Sequence, residues 1–159
     1  MPILRPLACL LLLFPLVPLH AQTLSPAGGG QTIAHELDAC LAEAQWLSEP
    51  ALACAREAGM RWEEEVERLG ARLDKVLGRE ARLALEASRA AWEEGREADL
   101  ALVEAYHGQL AEARLGDPDL LPLSRQLHRN AVWEQRARYL QRLLEGLEEQ
   151  RPDPVRESP

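Results

Sequence analysis

The sequence predicts an all-α protein: a small antiparallel bundle of three to four helices, the first two joined by a disulfide. Three observations support this prediction. After residue 21 the chain has one Ile, five Val and two Thr, so a sheet is disfavoured, whereas the strong helix formers Leu, Ala, Glu and Arg dominate. Apolar residues recur at steps of three and four over long segments, as they do on one face of a helix. Two cysteines flank a predicted corner between helices.

Both ends of the chain are expected to lie outside the bundle. Residues 1–21 have the order of a secretory signal peptide, with Arg5, an apolar run from Leu7 to Leu19 and the small residue Ala21. That run is shorter than the roughly 20 residues of a membrane-spanning helix, and we expect no membrane insertion after cleavage. Residues 22–31 predict a flexible leader and residues 150–159 a disordered tail. The helical domain is therefore expected over 32–149, in a periplasmic or secreted protein.

The first two helices are predicted from apolar spacing and from one corner. Residues 32–47 carry apolar positions at helical spacing, and Ser48-Glu49-Pro50 ends this helix and starts the next, with Ser48 available as a cap. The second helix has a heptad seam, which requires a partner helix. Its members are Leu52, Ala55, Gly59, Trp62, Val66, Leu69, Leu73 and Val76.

The third and fourth helices follow Gly78, where we expect a turn, although one continuous helix is the alternative. From about Glu80 a seam of mostly small side chains would let a neighbouring helix approach closely. After a loop at 116–119, a fourth helix is predicted from about Pro122 to Glu149. The third-helix seam is Ala84, Ser88, Ala91, Gly95, Ala98, Leu102 and Ala105, and the fourth-helix stripe is Trp133, Ala137, Leu140, Leu144 and Leu147.

The cysteines predict one disulfide. Removal of the signal peptide would take away Cys9 and leave Cys40 and Cys54, an even count in an exported chain. A bond between them would hold the first helix on the second and contribute about 3 kcal/mol in the chain-entropy model. Two buried free thiols are the alternative.

The negative charge is concentrated in the first two helices. The chain has a net charge of −8, and −9 without Arg5, which argues against binding the phosphate backbone of a nucleic acid. Residues 31–67 contain nine acidic residues and two arginines, a net of −7. This cluster either serves solubility or forms a docking face for a cationic partner. Glu63, Glu64 and Glu67 are the candidate contacts.

No pattern of residues predicts catalysis, a metal or a cofactor. Glu104 and His107 have the i, i+3 spacing of carboxylate-bridged metal bundles, but no second copy of that pair exists. The glycines at 28–30 do not stand between a strand and a helix, as a phosphate-binding loop would. The serines are scattered without a matching base, so we predict a non-enzyme with no catalytic residue, metal site or cofactor.

Residues 35–105 resemble the LprI-like lysozyme inhibitor family of small exported helical bacterial proteins. The resemblance depends on Cys40, Cys54 after 13 intervening residues, the segment beginning Trp62-Glu63-Glu64-Glu65, and the segment from Ala87 to Ala98 that contains Ala91-Trp92 and Arg96-Glu97-Ala98. Trp92 and Arg96 match the Trp and Arg of the family's third-helix motif. The chain departs from the family at Leu100, where a third cysteine is usual, and it lacks the downstream cysteine that would pair with one.

The resemblance implies an exported protein that inhibits lysozyme or a related cell-wall lytic enzyme. Lysozymes are commonly cationic, which agrees with a docking role for the acidic helices. A structural or chaperone-like helical module of the bacterial envelope is the alternative function. Trp92 and Arg96, one helical turn apart, are either a core Trp with the Arg folded over its ring or an exposed binding anchor.

Overall fold

A computed structural model describes residues 29–150 of the chain, and this part consists of four α-helices without a strand. The helices are α1 (Gly29–Glu43), α2 (Ser48–Val76), α3 (Arg79–Glu112) and α4 (Leu121–Glu149). The predicted all-α bundle is confirmed. The predicted signal peptide (1–21), residues 22–28 of the predicted leader and residues 151–159 of the predicted tail lie outside the described residues.

The four helices alternate in direction, with α2 and α4 as the central pair. α1 packs on α2, and α3 packs mainly on α4. The larger core cluster fills the space between α1, α2 and α4, and Trp62 is 1% exposed there. A smaller cluster of Leu41, Ala51, Ala55 and Leu123 lies where α1 ends and where α2 and α4 begin.

The start of α1 and the N-cap of α2 differ from the sequence-based prediction. α1 begins at Gly29, inside the predicted leader. The missing side chain of this glycine leaves room for the carboxylate of Glu65 beside the start of the helix. A Cβ at Gly29 would lie 2.6 Å from Glu65 Oε1, and a carboxylate beside a helix N-terminus is favoured by the helix dipole. The Ser48 cap is wrong, since Leu47 occupies the N-cap position of α2 and no side chain caps that end. Gly78 does mark a turn, so α2 and α3 are separate helices.

The disulfide between Cys40 and Cys54 joins α1 to α2, with 5.9 Å between the two Cα atoms. Most of the predicted α2 seam is buried against α1 and α4. Val76 is the exception, exposed at the last residue of the helix. In α4, Ala137, Leu140 and Leu144 are buried as predicted, whereas Leu147 is exposed near the end of the helix.

The predicted seam of α3 is wrong. Of its seven members only Ser88 is partly buried, and the other six face solvent. The face of α3 that packs is rotated from this seam, and it carries polar residues among the apolar ones: Leu85, Ser88, Trp92, Arg96, Val103 and His107. Polar residues can stand on this face because Arg96 stacks on aromatic rings and His107 lies within hydrogen-bonding distance of His128 in α4. They interrupt the apolar spacing by which the packing face of a helix is recognised in a sequence.

Candidate functional site

The three candidate glutamates of α2 are exposed but do not share one surface. Glu63 lines a groove of about 550 Å³ between α2, α3 and α4, and Glu67 lines a separate groove between α2 and α3. Glu64 faces solvent. Within residues 29–150 none of the three is in an ion pair, so their carboxylates contribute nothing visible to the packing of the bundle.

Two other acidic residues of α1 and α2, which together form a helical hairpin, are in ion pairs. Glu65 is buried and accepts two hydrogen bonds from the guanidinium of Arg68, at 2.6 and 2.7 Å. This hydrogen bonding, with the negative charge of Glu65, raises the pKa of Arg68. Glu36 of α1 pairs with Arg61 of α2. The acidic character of the hairpin surface therefore comes from the remaining carboxylates rather than from these two.

Trp92 and Arg96 form a cation–π arrangement, one of the two alternatives that their spacing allowed, and a second ring extends it. The guanidinium of Arg96 lies 5.3 Å from the centre of the Trp92 ring and 4.9 Å from that of Trp133. The two tryptophans meet edge to face at 5.1 Å. Both are partly buried, so the stack joins α3 to α4 and agrees with the structural interpretation of this pair.

Arg136 is a further member of this stack that the sequence did not single out for a role. It is buried, donates a hydrogen bond to Ser88 Oγ at 3.2 Å, and lies over the rings of Trp92 and Tyr139. Burial lowers its pKa. No carboxylate pairs with Arg136 in the described part of the chain. Its guanidinium instead contacts two aromatic rings and one hydroxyl.

The groove beside the stack brings Glu63 and Arg96 together, the two candidates that share a surface. Its wall also contains Arg56, Arg129 and Trp133. The floor is polar where α2 and α4 cross: Asn130 Nδ2 donates to the carbonyl of Ala55 at 2.7 Å. The groove thus offers both signs of charge beside an aromatic ring, and it does not by itself select one ligand.

Two histidines form a second polar contact between α3 and α4. His107 Nε2 and His128 Nδ1 are 2.9 Å apart, within hydrogen-bonding distance, and His107 is 0% exposed. Among the residues that the structure describes, Nδ1 of His107 has no hydrogen-bond partner. Burial, followed by the nearby His128 and Arg125, lowers the pKa of His107. Glu104, one turn before it, pairs with Arg125 and Arg129 and is used in holding α4.

In residues 29–150 no group of three or more His, Cys, Asp or Glu side chains is arranged to hold a metal ion. None of the helices described there is long and apolar enough to cross a membrane. No protein-family profile matches the chain, and neither a curated protein nor a solved structure shows significant similarity to it.

Proposed function

We propose that the chain is an exported binding protein that inhibits lysozyme or a related cell-wall lytic enzyme. The observation that carries this proposal is the set of exposed carboxylates on α2, at Glu63, Glu64 and Glu67, which have no ion-pair partner in the described residues. A partner with excess positive charge would be attracted to these carboxylates and would associate faster.

The disulfide supports export, because such bonds form and persist in oxidising compartments. It also keeps α1 and α2 together, so the acidic residues of both helices are presented on one rigid hairpin. The resemblance to the LprI-like family supplies the kind of partner, a cationic lytic enzyme. The position of Trp92 and Arg96 in an interhelical stack favours a role in supporting the fold over contact with that enzyme.

A charge-reversal experiment tests this proposal. The triple variant Glu63→Lys, Glu64→Lys and Glu67→Lys should inhibit a cationic c-type lysozyme about tenfold less well at low salt, and this difference should shrink at high salt. The matched control reverses three exposed acidic residues of α3 that line neither of the two grooves beside α2: Glu93, Glu94 and Asp99.

Both variants change the net charge equally, so a difference in inhibition between them would come from a docking role of the α2 carboxylates. Their far-ultraviolet circular dichroism should match the parent. Equal inhibition by the two variants would mean that the acidic residues of α2 serve solubility. Failure of the parent to inhibit any lysozyme class would refute the proposed function.

A second candidate function, a structural or chaperone-like module of the envelope, is favoured by one observation. The seam residues of α3 that were expected in the core face solvent, including Ala84, Ala91, Ala98 and Ala105 at intervals of seven. A heptad repeat of small residues is compatible with close packing against another helix. Sedimentation velocity distinguishes this candidate, since a self-associating module should form oligomers that Ala91→Glu dissociates.

A further inference from the structure

Two connections between helices lie at the same end of the bundle. Residues 44–47 join α1 to α2, and residues 113–120 join α3 to α4. Because the helices alternate in direction, both connections meet at the end where Leu41, Ala51 and Leu123 pack together. We refer to these two connections as the loop end.

The connection after α1 holds two consecutive residues in the left-handed region. Gln45 has φ 51° and Trp46 has φ 58°, values that are unfavourable for residues with a side chain. The Trp46 N–H donates to the carbonyl of Leu41 at 3.2 Å, and the Gln45 N–H donates to that of Ala42 at 3.1 Å. This pair of hydrogen bonds is a Schellman motif, which usually has glycine where Gln45 stands.

The connection after α3 repeats the same motif. Arg114 has φ 52° and its N–H donates to the carbonyl of Ala111, while the Leu115 N–H donates to that of Leu110 at 2.9 Å. In both connections the residue that follows the left-handed position of the motif is large and apolar. Such residues often pack back on the last turn of their helix. Here they do not.

The loop end instead exposes four large apolar side chains. Trp46 is 57% exposed and Leu47 60%, and across the end Leu115 is 55% and Leu120 38% exposed. Tryptophan is enriched among the residues that dominate binding energy at protein interfaces. The Cys40–Cys54 bond and the Schellman hydrogen bonds hold the Trp46 corner in place. A rigid anchor of this kind loses little conformational entropy on binding.

The charges around this apolar rim indicate the chemistry of the partner. Five acidic residues border the two connections, with one arginine among them: Glu43, Glu49, Glu112, Asp117, Asp119 and Arg114. Their net charge is −4, of the same sign as the neighbouring hairpin. An anionic bilayer would be repelled by such a surface, as would a second copy of it. A cationic protein with an apolar cleft is complementary to it.

We propose that the loop end is the surface that enters the cleft of a cationic lytic enzyme, with Trp46 as its anchor. This inference rests on the proposed function and deepens it, since an enzyme that hydrolyses a polysaccharide binds its substrate in a cleft. Filling the cleft with Trp46 excludes the glycan, while the surrounding carboxylates contact the positive rim. The acidic residues of α2 then act mainly on the association rate, and the apolar loop end determines how long the complex lasts.

The test compares Trp46→Ala with Leu102→Ala in the full chain after export. Leu102 is a matched control because it is 67% exposed on α3, away from the loop end. Calorimetric titration of a cationic c-type lysozyme should give a Kd about 30-fold weaker or more for Trp46→Ala, and less than about threefold weaker for Leu102→Ala. Leu115→Ala, at the second connection, should weaken binding too and does not alter the left-handed Trp46 backbone.

Each other outcome would overturn the inference in a recognisable way. If Trp46→Ala and Leu115→Ala bind like the parent while the triple α2 reversal binds weakly, the loop end is not the docking surface, although the proposed function stands. If Trp46→Ala instead abolishes binding to phosphatidylcholine vesicles, or dissociates a dimer of the parent, the surface takes lipid or a second copy and the inference is wrong. If the parent binds no lysozyme class, both proposals are wrong.

Discussion

Replacement of Gly59 by alanine tests the close crossing of α2 and α4, on which the bundle and its central groove depend. A Cβ at this position would lie 2.6 Å from Asn130 Oδ1 and 3.1 Å from Gln126 Nε2. Asn130 is buried and cannot move freely, because its Nδ2 donates to the Ala55 carbonyl at 2.7 Å and its Oδ1 accepts from Gln126 at 2.9 Å. The methyl group must therefore displace a hydrogen-bonded side chain.

Two opposing free-energy terms determine the expected result. Alanine is favoured over glycine inside a helix by about 1 kcal/mol. Loss of the buried hydrogen bond of Asn130 costs about 1–3 kcal/mol, and overpacking of the crossing costs a further 1–3 kcal/mol or so. We therefore expect Gly59→Ala to lower the free energy of unfolding by about 1–5 kcal/mol.

The matched control is Gly95→Ala in α3, where a Cβ would meet nothing within 4 Å. This variant should raise the free energy of unfolding by about 0.5–1 kcal/mol, so the two variants should change stability in opposite directions. Urea denaturation followed by circular dichroism measures both. The double variant with Asn130→Ala should be less destabilised than the sum of the single variants, since it removes the clash. If Gly59→Ala stabilises the protein as Gly95→Ala does, the described α2–α4 crossing is wrong.

Three further predictions concern the Cys40–Cys54 disulfide, the histidine pair and the core. Protein from an oxidising compartment should contain no titratable thiol in Cys40 and Cys54, and reduction should cost about 3 kcal/mol, measured by urea denaturation with and without reductant; two free thiols would contradict the disulfide. Because the pKa of His107 is lowered in the folded state, the unfolded chain binds more protons as the pH falls through the ordinary histidine value of 6.5, so stability should decrease from about pH 7 to pH 5.5. His107→Gln should flatten this pH dependence of the free energy of unfolding, whereas His35→Gln, at an exposed position, should not change it. If the pH dependence is unchanged in His107→Gln, groups other than His107 cause it. Trp62→Ala should cost about 3–5 kcal/mol, and a loss below about 1 kcal/mol would show that this ring is not in the core.

The sequence could predict the helices whose packing faces are apolar. α2 is the clearest case, because Leu52, Trp62, Leu69 and Leu73 recur at heptad spacing and all are buried. α3 could not be predicted in the same way. Alanine is compatible with both core and surface, so the Ala84–Ala105 stripe carried no information about which face packs. The positions that pack include His107, which is buried, and Arg96, which is partly buried; both have partners in α4 that local spacing does not show.

The candidate site was predicted only in part. The concentration of acidic residues and the disulfide followed from composition and cysteine positions, and the Trp92–Arg96 stack was one of the two interpretations that helical spacing allowed. The loop end was missed because the apolar period continues through Leu47, whereas the chain leaves the helix after Glu43. No glycine marks this turn: Gln45 adopts the left-handed conformation instead, so the usual sequence signal for a helix end is absent.

We propose that this chain binds and inhibits a cationic cell-wall lytic enzyme. Titration calorimetry of the unmodified protein with a cationic c-type lysozyme, at two salt concentrations, is the sharpest test of that binding. We expect a 1:1 complex whose Kd weakens about tenfold between roughly 20 mM and roughly 300 mM salt, because exposed carboxylates attract the partner and mobile ions screen them. A complex whose affinity does not depend on salt would contradict the role of the acidic hairpin. The absence of any heat of binding with c-type, g-type and i-type lysozymes would contradict the function itself.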